Sequence, residues 1–214
     1  MYTAMTAVRT SQIFWLALPV LLALAGAASA TKLSGAQLIA ALRRGGYVIV
    51  MRHASSPRTP PDATTADPDN VQHERQLDEL GRASARALGD ALRRLKLPLG
   101  EVLSSPAYRA LETARLAQLT AKADPELAEA GHSMQADPTG ARGAWLRARA
   151  AMAPARGTDT LLITHFPNIA EAFSKETGQL EDGEALIFRP DGRGSASFVA
   201  RVKIDEWPRL ASGS

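Results

Sequence analysis

The sequence contains no cysteine, which excludes disulfide scaffolds, thiolate metal sites, iron–sulfur clusters and every reaction that uses a cysteine nucleophile. Aromatic residues make up only 5% of the 214 residues, so alanine, leucine, valine and isoleucine must fill most of the core. Histidine is scarce as well, with four residues in the chain. They are His53, His73, His132 and His165, and any histidine chemistry depends on them.

Neither sign of charge is in large excess. The formal net charge is +3, and the basic residues are interspersed with acidic ones. A pI of about 9.5 does not by itself indicate nucleic-acid binding, which needs basic residues clustered on one face. The sequence therefore predicts no nucleic-acid partner.

The chain has one long apolar run, residues 13–25, and it is short for a transmembrane helix, which needs about 20 apolar residues. The small residues that follow end in Ala28-Ser29-Ala30, a pattern typical of signal-peptidase cleavage. We expect residues 1–30 to be a signal peptide, and the mature protein to be periplasmic or secreted without stable membrane insertion. An uncleaved N-terminal anchor is the alternative. Residues 31–214 are then a single domain.

Helical and strand patterns alternate after residue 30, which predicts an α/β fold. The predicted helices are 34–44, 81–95, 106–121 (with Ser105 as its cap), 139–152 and 168–176. The predicted strands are 47–51, 101–104, 126–129, 160–164, 184–189 and 195–205. Such an alternation implies a three-layer α/β/α sandwich with a mainly parallel sheet and an antiparallel hairpin at its C-terminal edge. Residues 55–76 form a long loop that we expect at the rim of the pocket, together with residues 129–140.

Polar residues follow three of the predicted strands. Arg52 and His53 end the first, Ser105 and then Arg109 follow the second, and His165 ends a third. Ligands of open parallel sheets bind beyond these carboxyl ends, and the first helical turn at Arg109 would point unpaired N–H groups at an anion. A neutral imidazole can attack phosphorus, and guanidinium groups match phosphate oxygens two at a time. This combination favours phosphoryl transfer.

These residues resemble the signatures of the histidine phosphatase superfamily, whose members are phosphoglycerate mutase-like. Arg52-His53-Ala54 is similar to its Arg-His-Gly signature, residues 104–114 are similar to its Ser-Ser-Pro-x-x-Arg-x-x-x-Thr-Ala segment, and residues 162–165 to its late strand with the second histidine. The resemblance implies the phosphoglycerate mutase-like fold. It implies that His53 is the phosphorylated nucleophile and that Arg52, Arg109 and His165 bind the phosphate. It implies no metal and no cofactor.

The sequence departs from the family pattern at two places. Ala54 replaces the usual glycine, which requires a negative φ at that residue. No motif in the sequence identifies the proton donor. Glu129 matches the family's donor by position. Asp137 and the acids of residues 62–74 are alternatives, and a site without any proton donor is another. Arg75, Ser105 and Asn168 are further candidates for substrate contact, and helix capping is the alternative role for Asn168.

The sequence thus predicts an exported, metal-independent phosphatase that hydrolyses a small phosphorylated substrate through a phosphohistidine on His53. A phosphomutase of the same fold is one alternative, and a catalytically weak phosphate-binding envelope protein is the other. The identity of the substrate and the oligomeric state are left open.

Overall fold

A computed structural model of the chain describes residues 33–129 and 139–213. The helices are α1 (Gly35–Leu42), α2 (Glu79–Arg94), α3 (Tyr108–Leu116), α4 (Ala141–Ala150), α5 (Phe166–Ala172), α6 (Ser174–Thr177) and α7 (Glu206–Ser212). The strands are β1 (Val48–Arg52), β2 (Leu99–Ser104), β3 (Lys122–Ala123), β4 (Asp159–Thr164), β5 (Ala185–Pro190) and β6 (Ala196–Val202). The expected signal peptide (residues 1–30), His132 and Asp137 lie outside the described residues. None of the described helices is long and apolar enough to cross a bilayer.

One six-stranded sheet organises the fold, in the order β3-β2-β4-β1-β5-β6. The first four strands of that order are parallel, whereas β5 runs antiparallel to β1 and β6 antiparallel to β5. The predicted α/β class, the mainly parallel sheet and the antiparallel C-terminal edge hairpin are confirmed.

Helices cover both faces of the sheet because alternate strand residues point to opposite sides. Ile49 and Met51 pack in one cluster with α1, α2 and α7. Val48 and Val50, their neighbours in β1, pack in a second cluster with α4 and α5. The strand is therefore buried on both faces, as its uninterrupted apolar sequence indicates, and the predicted three layers are present.

The strand register brings the two histidines to one edge of the sheet. Arg52 at the end of β1 lies opposite Thr164 at the end of β4. The ladder continues by one bond, since the N–H of His53 donates to the carbonyl of Thr164 at 3.0 Å. His53 and His165 therefore leave adjacent strands side by side.

The helix predicted over residues 106–121 is shorter in the structure, and Ser105 is not its cap. Helix α3 begins at Tyr108 and its N-cap, Ala107, has no capping side chain. The helix ends at Leu116, and Gln118 adopts a left-handed φ of 58°, a conformation that stops helix propagation. The hydroxyl of Ser105 serves the site described below instead.

The strand predicted over residues 126–129 is wrong. The edge strand is β3, and Pro125–Leu127 form a single 3-10 turn. Asp124 caps that turn by accepting from the N–H of Glu126 at 3.0 Å, and Pro125 fixes φ at its first position. Leu127, which gave the segment its apolar character, is fully buried in the turn.

The helix predicted over residues 168–176 is two helices, α5 and α6, separated by the non-helical Phe173. Helix α7 was not predicted, because its seven residues are too few to show a helical period and include a proline. Its stability comes from tertiary contacts, since Trp207 is buried against the core of α1 and α2.

Asp159 opens β4 as a fully buried carboxyl group, at the end of the sheet opposite to the histidines. One oxygen accepts from the N–H of Tyr47 at 2.9 Å, and the other has no hydrogen-bond partner within the described residues. Burial raises the pKa of Asp159 to about 7, although the bond from Tyr47 opposes this.

Asp159 makes the stability of the protein depend on pH. Unfolded aspartate has a pKa near 3.8, so between about pH 4 and pH 7 the folded state binds more protons than the unfolded state. The free energy of unfolding should therefore fall as pH rises through this window, by at most about 4 kcal/mol, and level off above it. Asp159→Asn, which cannot ionise, should gain stability relative to the wild type between pH 5 and pH 8. Urea unfolding of both proteins at several pH values measures this difference, and parallel pH profiles would contradict it.

Candidate active site

His53 lies just beyond β1 and is almost completely buried. Its Nδ1 lies 2.8 Å from the carbonyl oxygen of Ala54, and because a carbonyl can only accept, Nδ1 carries the proton. Its Nε2 lies 3.2 Å from Nε of Arg109, which can only donate. Burial first, and then the charge of Arg109, lower the pKa of His53 well below 6.5. The imidazole is therefore neutral, with its lone pair on Nε2 next to a guanidinium group.

His165 follows β4 and faces His53, with 5.2 Å between the ring centroids. Its Nδ1 accepts from a terminal nitrogen of Arg109 at 3.0 Å, so its proton is on Nε2. That nitrogen donates to the hydroxyl of Ser105 at 2.7 Å. Burial first, and then His53 and Arg109, lower the pKa of His165 well below 6.5. The second imidazole is neutral as well.

Arg109 connects the two histidines from the first turn of α3. Its guanidinium group is buried and contacts both rings, and one terminal nitrogen also lies 2.5 Å from a carboxylate oxygen of Glu129. The other oxygen of Glu129 is 3.7 Å from Nδ1 of His165. The structure therefore brings together four of the predicted residues, His53, Arg109, Glu129 and His165.

Thr113 fixes the loop after β1 against α3. Its hydroxyl donates to the carbonyl of Arg109 at 2.8 Å and accepts from the N–H of Ala54 at 3.1 Å. Ala54 is fully buried and is not among the described residues with positive φ. Ala54 therefore has the negative φ that an alanine at this position requires. The hydroxyl of Thr113 holds the backbone next to His53, the candidate nucleophile.

Arg52 makes its hydrogen bonds to the segment that precedes β5. It donates to the carbonyl of Leu180 at 2.9 Å and pairs with Asp182 at 2.6 Å, while its guanidinium group stacks 5.7 Å from the ring centre of Phe166. Its Nε is buried and has no partner within the described residues. Asp182, whose pKa is raised by burial, was missed by sequence reasoning. The only signal for it is that Asp182 precedes β5, which is the neighbour of β1.

The structure gives Ser105 and Asn168, two of the residues predicted to contact substrate, contacts within the protein. Ser105 holds His165, as described above. Asn168 lies inside α5 and does not cap it, since His165 is the N-cap. The buried amide of Asn168 donates to the carbonyl of Ala128 at 3.0 Å and to the hydroxyl of Thr164 at 3.0 Å, so it ties the segment before Glu129 to α5. Capping by Asn168 is therefore wrong.

The first N–H groups at the amino end of α3 were expected to be unpaired, but two of them have partners in the protein. The N–H of Tyr108 donates to the carboxylate of Glu74 at 2.9 Å, and the N–H of Ala107 donates to the hydroxyl of Ser105 at 3.2 Å. These two groups therefore do not point unpaired at an anion. Glu74 itself is held in place by Asn70, whose side-chain oxygen accepts from the N–H of Glu74 at 2.9 Å.

A cavity of about 420 Å³ opens over Arg109 and Glu129. The loop predicted at the pocket rim contributes Pro60 and the residues from Gln72 to Arg75 to its wall. Arg75 is anchored there by donating to the carbonyl oxygens of Pro57 at 2.7 Å and Ser56 at 3.2 Å. The part of residues 129–140 that the structure describes contributes Glu129. Across residues 33–129 and 139–213, no cluster of three or more metal-ligating side chains is present. Arg75 and Arg109 are the two arginines that line the cavity.

The sequence and the structure are similar to known proteins. Residues 48–160, just over half of the chain, match the model of the histidine phosphatase superfamily (branch 1). No curated protein matches the chain by sequence.

Solved structures share the fold. The protein histidine phosphatase SixA, complexed with tungstate, is 21% identical with a TM-score of 0.53, covering 75% of this chain and 98% of its own. A phosphoserine phosphatase variant from Entamoeba histolytica, in complex with phosphoserine, is 12% identical with a TM-score of 0.51, covering 74% and 97%. An open reading frame product of Mycobacterium tuberculosis is 18% identical with a TM-score of 0.50, covering 73% and 96%.

Proposed function

Because the chain belongs to the histidine phosphatase superfamily (branch 1), we propose that it is a metal-independent phosphatase that hydrolyses phosphomonoesters through a phosphohistidine on His53. The observation that carries the proposal is that Arg109 contacts Nε2 of His53, Nδ1 of His165 and the carboxylate of Glu129 at once. An imidazole with a free lone pair, a cationic donor and a carboxylate that can exchange protons therefore meet around Arg109, at the edge of the cavity.

In the first step, the lone pair on Nε2 of His53 attacks phosphorus in line, and the bond from phosphorus to the ester oxygen breaks. The departing alkoxide takes a proton from water, or from Glu129 when that residue is protonated and no longer paired with Arg109. The hydrogen bond from Nδ1 of His53 to Ala54 keeps the lone pair on Nε2 and stabilises the positive charge that develops on the ring.

In the second step, water attacks phosphorus, the bond from phosphorus to nitrogen breaks, and His53 recovers its lone pair. Water passes its proton to the base left by the first step, which is the carboxylate of Glu129 or hydroxide, and inorganic phosphate is released. The site then has its starting composition, so the sum of both steps is the hydrolysis of one ester by one water molecule.

The arginines stabilise the charge on the transferred group in both steps. Arg109 already reaches Nε2 of His53, so a phosphoryl group bound there lies within reach of its planar fork. Arg52 has a buried Nε with no protein partner within the described residues, and a phosphoryl oxygen would satisfy that donor. His165 presents a neutral ring from the opposite side.

Assay of a broad panel of phosphomonoesters from acidic to neutral pH tests the proposal. We expect steady release of inorganic phosphate in equal amount to the alcohol product, inhibition by vanadate, and no loss of activity with EDTA. Isomerised ester with little phosphate would assign a phosphomutase instead. Binding of phosphate without any turnover would assign a phosphate-binding protein, and inactivation by EDTA would contradict metal independence.

A further inference from the structure

The Nε of Arg109 and one of its terminal nitrogens are engaged by groups of the protein itself. Its Nε donates to Nε2 of His53 at 3.2 Å, which is the atom proposed to attack phosphorus. One terminal nitrogen donates to Glu129 at 2.5 Å and to His165 at 3.0 Å. A carboxylate oxygen and a phosphoryl oxygen accept a hydrogen bond from the same guanidinium N–H groups. Glu129 therefore stands where a phosphoryl oxygen would contact Arg109.

The position of Glu129 follows from the backbone in front of it. The carbonyl of Leu127 accepts from the hydroxyl of Thr164 at 2.7 Å. The carbonyl of Ala128 accepts from Asn168 at 3.0 Å and from Arg142 at 2.6 Å. Side chains from three different elements thus fix these two residues, and the carboxylate is presented to Arg109 at a high effective concentration.

Glu129 and a phosphoryl group cannot both hold Arg109 in this way. Both imidazoles of the site are neutral, because burial lowers the pKa of His53 and of His165. The guanidinium of Arg109 is consequently the positive charge in direct contact with Glu129, whose side chain is only 11% exposed. An anion that takes over the donors of Arg109 must release this partly buried carboxylate.

We propose that Glu129 is an internal competitor for the phosphate site. It leaves Arg109 when a phosphorylated substrate binds and, once it is again a carboxylate, it returns to Arg109 to expel the inorganic phosphate product. This inference rests on the proposed function and adds a role in product release to the proton transfer suggested for Glu129. Proton transfer alone would not link Glu129 to the affinity for phosphate.

Binding of inorganic phosphate and of tungstate, measured by calorimetry without turnover, tests the proposal. Glu129→Gln should bind both anions at least about tenfold more tightly than the wild type, because a charge-assisted contact to Arg109 no longer has to be broken. Glu129→Ala serves as a second variant, with the same expected direction. Thermal unfolding of each variant establishes that it is folded.

Glu126→Gln is the matched control for net charge. Glu126 lies three residues before Glu129 and is exposed, and it is not among the residues that line the cavity. Its removal should change anion affinity by less than about threefold, as for a charge that makes no direct contact with the ligand. Equal tightening in both variants, or unchanged affinity in both Glu129 variants, would overturn the inference. Absence of anion binding in every protein, the wild type included, would instead overturn the proposed function.

Discussion

Replacement of His53 by alanine is expected to lower phosphate release by at least about 10⁴-fold, the scale seen when a nucleophile is removed from an enzyme. The variant keeps Arg109 and His165 but lacks Nε2 of His53, the nitrogen proposed to bond to phosphorus. Water alone would have to attack the ester in one step. Initial rates of phosphate release at saturating ester concentration measure the loss.

The His53→Ala protein should remain folded. The substitution removes a buried ring and its bond to Ala54, but the strand bond from the N–H of His53 to Thr164 belongs to the backbone and stays. Near-ultraviolet circular dichroism and thermal unfolding test this, and the variant should still bind tungstate through Arg109. Activity close to that of the wild type in a folded variant would show that His53 is not the nucleophile.

Replacement of Arg109 by alanine is expected to lower kcat/KM by about 10²–10³-fold, as for the loss of one preorganised donor to a developing charge. The variant loses contacts to His53, His165 and Glu129 together. Arg109→Lys restores the charge without the planar fork, so it should recover only part of the loss. Steady-state kinetics on one good substrate give the comparison.

Arg115→Ala is the matched control for Arg109→Ala. Arg115 lies in the last turn of the same helix, its side chain is 57% exposed, and its carboxylate neighbour is Asp69 at 3.9 Å. We expect its kcat/KM within about twofold of the wild type, since exposed ion pairs contribute little. A normal rate in Arg109→Ala, or an equal loss in both variants, would return Arg109 to the role of a surface charge.

The buried strands could be predicted because they carry two signals at once. Residues 48–51 and 161–163 are apolar on both faces, and glycine or polar residues lie close to their ends, which distinguishes central parallel strands from half-exposed ones. Once β1 and β4 are parallel neighbours, their carboxyl ends must meet, and the closeness of His53 and His165 follows. The presence of Arg109 beside them follows from the turn between β2 and α3.

Short elements could not be predicted, because their stability is tertiary. Helix α7 depends on the burial of Trp207, and the turn at Pro125–Leu127 depends on a cap by Asp124 and on the burial of Leu127. Seven residues or fewer do not establish a period. The strand predicted over residues 126–129 is therefore wrong, because Leu127 is buried from a 3-10 turn and not from a strand.

Pairings within the site were also invisible in the sequence. Arg52 is held by Asp182 and Tyr108 by Glu74, and both pairs join segments far apart in the chain. Motif spacing places residues at strand ends, but it does not say which charged groups will meet there. The contact of Glu129 with Arg109 belongs to this class, although its position after Leu127 made Glu129 a candidate. The catalytic roles of these residues stay predictions.

The most direct test of the account is to trap the phosphorylated enzyme. Rapid mixing with a radiolabelled phosphomonoester, followed by quenching in base and peptide mapping, should yield label that is stable to alkali, labile to acid and located on His53, with none in the His53→Ala variant. Label on a different side chain, or rapid turnover with no labelled enzyme at any time point, would contradict it.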